Sequence, residues 1–147
     1  ARARLRKKNR NLIGQAELIC YPPGSFYTSL VANLLPVGVA EAVANNDNPK
    51  IYVPNLGHDP EQIGMTLDSS IKTLLRYLHE GTESKYTANH FLNFVLVDSR
   101  NGNYPGRVSA ALLEELGIQL IDTKLLRKGS ADHYDPELLV SALLSLT

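Results

Sequence analysis

The sequence predicts an α/β fold: a three-layer, Rossmann-like domain with a mainly parallel sheet. Three observations carry that expectation. Four short apolar runs, LICY (18–21), IYV (51–53), FVLV (94–97) and IQLI (118–121), alternate with stretches of helical composition, the pattern of strands paired in parallel and covered on both faces. The first three runs each feed a polar, turn-rich segment: PPGSFYTS, NLGHDPEQ and DSRNGNYPG. The length of 147 residues, 44% of them hydrophobic, suits one packed domain.

Taken in order, the first strand stops at Pro22-Pro23-Gly24, a sharp turn signal. A helix is expected from about Tyr27, interrupted by Pro36 and resumed over 40–44. The second strand gives way to a polar loop over 55–62. Ile71, Leu74, Leu75 and Leu78 recur at i, i+3, i+4 and i+7, so one face of the next helix meets a core. After the third strand and its loop (98–106), Leu112, Leu113 and Leu116 mark a helix that Gly117 ends. The last helix opens with Asp135 as N-cap, Pro136 at N1 and Glu137 in the first turn. Its Leu138, Leu139, Val140, Leu143 and Leu144 give more apolar surface than a single buried face requires.

The net charge of zero hides an asymmetry. Arg2, Arg4, Arg6, Lys7, Lys8 and Arg10 place six of the fifteen basic residues in the first ten positions. The rest of the chain then holds nine basic residues against fifteen acidic ones. Residues 1–14 are therefore expected as a basic N-terminal segment, a solvated helix or connector, ahead of an α/β domain over 15–147. Such a segment can meet nucleic acid or anionic lipid, but no aromatic residue is interleaved for base stacking, so nucleic acid is not the expected partner. The lone Cys20 excludes an internal disulfide, and no apolar run reaches the length of a membrane span. A cytoplasmic setting without membrane partners is expected.

Ligands of open parallel sheets sit beyond the carboxyl ends of the strands, where the three polar loops converge. In the first, Gly24 permits close approach of a ligand. Ser25, Thr28 and Ser29 bring hydroxyls, and the following helix start brings unpaired N–H groups that suit phosphate. The same residues also read as a turn glycine and a helix cap. The spacing of a serine nucleophile elbow is absent. In the second loop, Asn55 could bond a ribose or phosphate, and His58 and Asp59 could do acid–base or metal chemistry. Asp59-Pro60-Glu61 equally reads as a turn with a cap. His79, His90 and His133 lack metal-ligand spacing. Asp98 and Arg100 in the third loop are candidates that turn chemistry explains nearly as well, and Cys20 reads as an inert core residue.

The stretch PPGSFYTSLVANLLPVGVAEAV resembles the segment written roughly GPGSLYTSIIPNLLVPGI in the 2-phospho-L-lactate transferase (CofD-like) family, which includes YvcK-type proteins that bind nucleotide sugars. KIYVPNLGHDPEQIG and the terminal HYDPELLVSALLSL are similar to the family's strand–Asn–loop–Glu segment and closing helix, so the resemblance runs from about Glu17 onward. It implies a Rossmann-like fold that binds a nucleotide diphosphate or nucleotide sugar of the guanosine or uridine type. It assigns phosphate or nucleotide contacts to Pro23, Gly24, Ser25, Tyr27, Thr28, Ser29 and Asn33, with Asn55 and His58 beside them.

The resemblance further implies either a phosphotransferase moving a phospholactyl-type group or a non-catalytic nucleotide-sugar-binding regulator. Magnesium would serve the full-length protein and would not be held by this chain alone; a homodimer is also implied. The loop stands closer to the YvcK-like branch than to the GPSNPITS of lactyl transferases. Ala32 stands where the family usually has Pro, and Asp98 where Asn is common. The family's early Gly-Gly-Thr-Gly loop and Asn-x-Gly-Asp-Asp metal motif have no counterpart, so the chain is expected to be the C-terminal half of a larger CofD-like fold.

Overall fold

The computed structural model describes residues 3–57, 59–83 and 85–147. Helix α1 (Lys7–Gln15) precedes strand β1 (Ile19–Tyr21). A π turn (Phe26–Val31) then runs into the short α2 (Ala32–Leu34), followed by α3 (Val39–Asn45) and β2 (Lys50–Tyr52). After a 3-10 turn (Pro60–Gln62) come α4 (Leu67–Glu80), a second 3-10 turn (Ala88–His90), β3 (Phe94–Val97), α5 (Ala110–Leu116), β4 (Gln119–Asp122) and α6 (Pro136–Leu144). The expected strands are all present, with bounds shifted by a residue at β1, β2 and β4.

All four strands are parallel, in the spatial order β1-β2-β3-β4, with Cys20 opposite Ile51, Ile51 opposite Phe94, and Phe94 opposite Gln119. Each crossover steps in the same direction, so right-handed connections set α3, α4 and α5 on one face. Strand alternation divides the side chains between two cores. Tyr21, Tyr52, Val95 and Val97 join Leu74, Leu78 and Leu113 in the first core. Ile51, Val53 and Leu96 join Leu125 and Leu126 in the second, which α6 covers through Leu139 and Leu143. This is the three-layer α/β architecture that the sequence predicts.

Helix boundaries follow local chemistry. Thr66 and Ser69 form a reciprocal capping box at the start of α4, Thr66 Oγ1 accepting from the Ser69 amide and Ser69 Oγ from the Thr66 amide. Gly117 takes φ 72° to end α5, and Asp135 accepts from the Leu138 amide to open α6. Between α2 and α3, Pro36 breaks the helix and Gly38 turns the chain with φ 101°.

The basic start of the chain is folded onto this frame. The amide of Leu5 donates to the Val37 carbonyl and that of Val37 to the Ala3 carbonyl. At the other end of α1, buried Asn46 donates to the carbonyls of Ile13 (2.7 Å) and Ala16 (2.9 Å) and accepts from the Asn48 amide (2.7 Å). Buried Lys50 donates through Nζ to the Asn46 carbonyl. Burial lowers its pKa, with the nearby charge of Asp47 acting in the opposite sense. Asn46→Ala removes the donors that pin the end of α1 and should cost about 1–3 kcal/mol in urea unfolding. A loss below about 0.5 kcal/mol, the scale of an ordinary surface change, would mean that packing alone seats α1.

Candidate functional site

Three loops leave the carboxyl ends of β1, β2 and β3: loop 1 (22–29), loop 2 (53–66) and loop 3 (98–109). Loop 1 opens with Gly24 at φ 152° and leads into a π turn in which the Leu30 amide donates to the Ser25 carbonyl across five residues. π-helical turns are uncommon and concentrate at functional sites. The orphan amides at this helix start need acceptors, and loop 2 supplies them. The Gly24 amide donates to Asn55 Oδ1 (2.6 Å) and the Phe26 amide to Asp59 Oδ2 (2.9 Å). The Tyr27 and Thr28 amides donate to Glu61 Oε1 (2.8 and 2.9 Å), and the Thr28 hydroxyl to Glu61 Oε2 (2.9 Å).

Loop 2 is itself braced. Asn55 Nδ2 donates to the Gly24 carbonyl, Asp59 Oδ2 and Gln62 Oε1, so the Asn55 amide group is engaged on both its atoms. Gln62 Nε2 in turn reaches the buried Ser70 on α4 (2.8 Å). Asp59 caps the 3-10 turn by accepting from the Glu61 amide (3.0 Å), as the turn-and-cap reading of Asp59-Pro60-Glu61 expects. The amide and hydroxyl of Thr28 hold the Glu61 carboxyl below the usual carboxylate range; burial opposes them and the Tyr27 amide adds to them.

The sequence-predicted residues gather at this end of the sheet. Pro23, Gly24, Ser29 and Asn33 line a groove of about 530 Å³ that runs along β1 beside Tyr21 and Leu30. Asn33 Nδ2 donates to the Ser29 carbonyl one turn back (2.6 Å). Tyr27 is partly exposed, packed edge-on to Phe26 and Tyr77. Ser25 is exposed and its side chain makes no cap bond, so its hydroxyl does not serve the helix it precedes. Asn55 lines a separate cavity of about 700 Å³ between loops 2 and 3. His58 lies outside the described residues.

In loop 3 Asp98 combines a local turn bond with long-range ones. Its buried carboxylate accepts from the amides of Leu125 (2.9 Å), Leu126 (3.1 Å) and Asn101 (3.1 Å) and from Asn101 Nδ2. Burial raises its pKa, but these donors, the Leu125 amide first among them, outweigh it and leave the carboxyl below the usual range. Arg100 stands exposed beside it. Two tyrosines that the sequence reading passed over complete the frame. The Asp98 amide donates to Tyr104 Oη (3.0 Å), Tyr104 and Tyr134 share a bond of 2.9 Å, and Tyr134 donates to the Pro54 carbonyl (2.6 Å). Nothing in their sequence neighbourhood signals this, since the partners lie thirty and eighty residues apart.

The Asp59 and Glu61 carboxylates are occupied by N–H and O–H donors. Among the described residues no group of three His, Cys, Asp or Glu side chains lies together as a metal site. Cys20 is half-buried on β1, and burial pushes its thiol up to about 11, the inert state expected of a structural cysteine. No helix of the described residues is long and apolar enough to cross a membrane.

The sequence model of the family described as 2-phospho-L-lactate transferase CofD matches residues 2–126. The chain belongs to the CofD family. The match takes in the basic start of the chain and stops before α6. A Thermotoga maritima protein, provisionally named a gluconeogenesis factor, is 37% identical over 89 residues, which are 60% of this chain and 25% of that protein. The gluconeogenesis factor of Listeria monocytogenes is 30% identical over 114 residues, 74% of this chain and 34% of the relative. A crystal structure of a Bacillus halodurans protein of the UPF0052 family superposes with a TM-score of 0.77 at 21% identity, which speaks to the fold. It covers 96% of this chain and 47% of its own. The chain thus spans about a quarter to a third of the length of these curated relatives and about half of the solved one.

Asp98 yields a test with a defined sign. A carboxyl whose folded pKa is depressed adds stability above its unfolded pKa and loses it as pH falls through the folded one. Asp98→Asn should therefore cost about 1–3 kcal/mol at pH 7. The gap to wild type should shrink in urea unfolding as pH drops below the ordinary aspartate range. A gap that stays constant with pH would show that the charge on Asp98 is not what holds the Leu125 and Leu126 amides.

Proposed function

We propose that the chain is the phosphate-contacting part of a CofD-family protein that binds a nucleotide diphosphate or nucleotide sugar. The observation that carries this reading is the groove on β1. Four residues of the family-like motif, Pro23, Gly24, Ser29 and Asn33, line the part of the β1 groove that reaches the carboxyl end of the strand, where open α/β sheets bind ligands. Gly24 adds a backbone conformation closed to larger residues, and Ser25 leaves an uncommitted hydroxyl beside it.

Binding without turnover is the reading favoured for these 147 residues. The two carboxylates nearest the loop are committed to loop 1 donors, so magnesium and acid–base groups for phosphoryl transfer would come from outside the chain. The names of the relatives, gluconeogenesis factors rather than transferases, support the regulatory alternative. The family description keeps transfer of a phospholactyl-type group as the second reading for a longer protein.

Calorimetric titration of the chain with GDP, UDP and a UDP-sugar tests the proposal. Weak, saturable binding is expected for at least one of them, reduced by Gly24→Ala and by Ser25→Ala while the far-ultraviolet dichroism stays native. No transferase product is expected from the chain alone. Binding unaffected by either substitution would remove loop 1 from the site, and product formation would overturn the non-catalytic reading.

A further inference from the structure

We propose that loop 2 is a built-in competitor for the phosphate contacts of loop 1: Asn55, Asp59 and Glu61 occupy the amides that a ligand diphosphate would use and must be displaced when it binds. The inference rests on the nucleotide-binding reading above and concerns the control of that same site.

Of the five amides from Gly24 to Thr28, four donate to loop 2 side chains: one to Asn55, one to Asp59 and two to Glu61. Glu61 also takes the Thr28 hydroxyl. A carboxylate on convergent backbone N–H groups does what a phosphate does there, with the same charge sign and bond lengths. The two cannot share the place. A phosphate arriving beside Asp59 and Glu61 would meet two like charges, and neither loop brings a lysine or arginine. Between Arg10 and Lys72 the single lysine or arginine is Lys50, which is buried at the amino end of β2 with its ammonium on the Asn46 carbonyl. Like charges brought to hydrogen-bond distance of the same amides repel, so ligand entry and carboxylate retention exclude each other.

Glu61 is the member to test. It accepts three of the bonds, it is not buried in a core, and glutamine keeps its shape and its carbonyl acceptor while removing the charge. The sign of the effect separates competition from support. If Glu61 merely braces loop 1 for the ligand, neutralising it weakens binding; if it competes, binding tightens. The probes are inorganic pyrophosphate and UDP, titrated calorimetrically into the whole chain and into Glu61→Gln and Glu61→Ala. Amide hydrogen exchange at Tyr27 and Thr28 serves as the ligand-free readout of opening.

The expected result is tighter binding of both probes by the variants, by on the order of five-fold or more, the usual scale of coupling between competing states. Exchange at Tyr27 and Thr28 should be faster in Glu61→Ala without ligand. Equal or weaker binding by both variants overturns the competitor role and leaves the nucleotide reading standing. Absence of binding by wild type and variants alike, with the amides opened, overturns the nucleotide reading and the competitor role together.

Discussion

The carboxyl end of the sheet takes its shape from the way loop 2 satisfies the orphan amides of loop 1. A helix start exposes N–H groups that must find acceptors, and the helical segment after β1 is short and begins with a π turn. It has little internal bonding with which to hold itself. Side chains from thirty residues downstream do that work: Asn55 closes a reciprocal pair with the backbone of Gly24, and Asp59 and Glu61 close the following three amides. Loops 1 and 2 are thereby one unit. Their mutual position depends on polar contacts at the rim of the sheet.

Loops 2 and 3 are joined by a different kind of contact. The relay from the Asp98 amide through Tyr104 and Tyr134 to the Pro54 carbonyl is largely shielded, and burial pushes both phenols up so that they stay neutral donors. Asp98 meanwhile gathers the amides of Leu125 and Leu126, whose side chains are fully buried in the second core. This joint is built into the packing and does not offer an exchangeable anion seat. The contrast assigns rigidity to the loop 2–loop 3 side and adjustability to the loop 1–loop 2 side, although both belong to one rim.

The fold was legible because its signals are local. Apolar runs separated by turn residues give strands, the i, i+3, i+4, i+7 spacing of Ile71 to Leu78 gives α4, and Asp135-Pro136-Glu137 gives the start of α6. The location of the candidate site was legible too, since PPGSFYTS follows a strand. What the residues of the site do to each other was not. Glu61 reads locally as part of a turn, and only its position opposite Thr28 makes it an acceptor for loop 1. Leu125 and Leu126 sit in a polar stretch, TKLLRK, whose pattern gives no strand or helix, yet both are fully buried. Long-range pairing of polar groups leaves no periodic trace in a sequence.

The charge distribution narrows what can complete the site. A diphosphate brings two or more negative charges, and a protein that holds it must neutralise them in place. Loops 1 and 2 bring two carboxylates and neither lysine nor arginine. The basic residues of α1 lie before β1, on a helix whose preceding residues bond Val37 and whose end is held by Asn46, and they belong to neither loop. Arg100 and Arg107 belong to loop 3, on the far side of loop 2 from the β1 groove. Neutral donors and a groove wall are therefore what loops 1 and 2 can give, and under the nucleotide-binding proposal the compensating positive charge would come from outside these two loops. In the structure Asp59 and Glu61 are the anions seated on the loop 1 amides, so any ligand phosphate proposed for this rim has both of them to contend with.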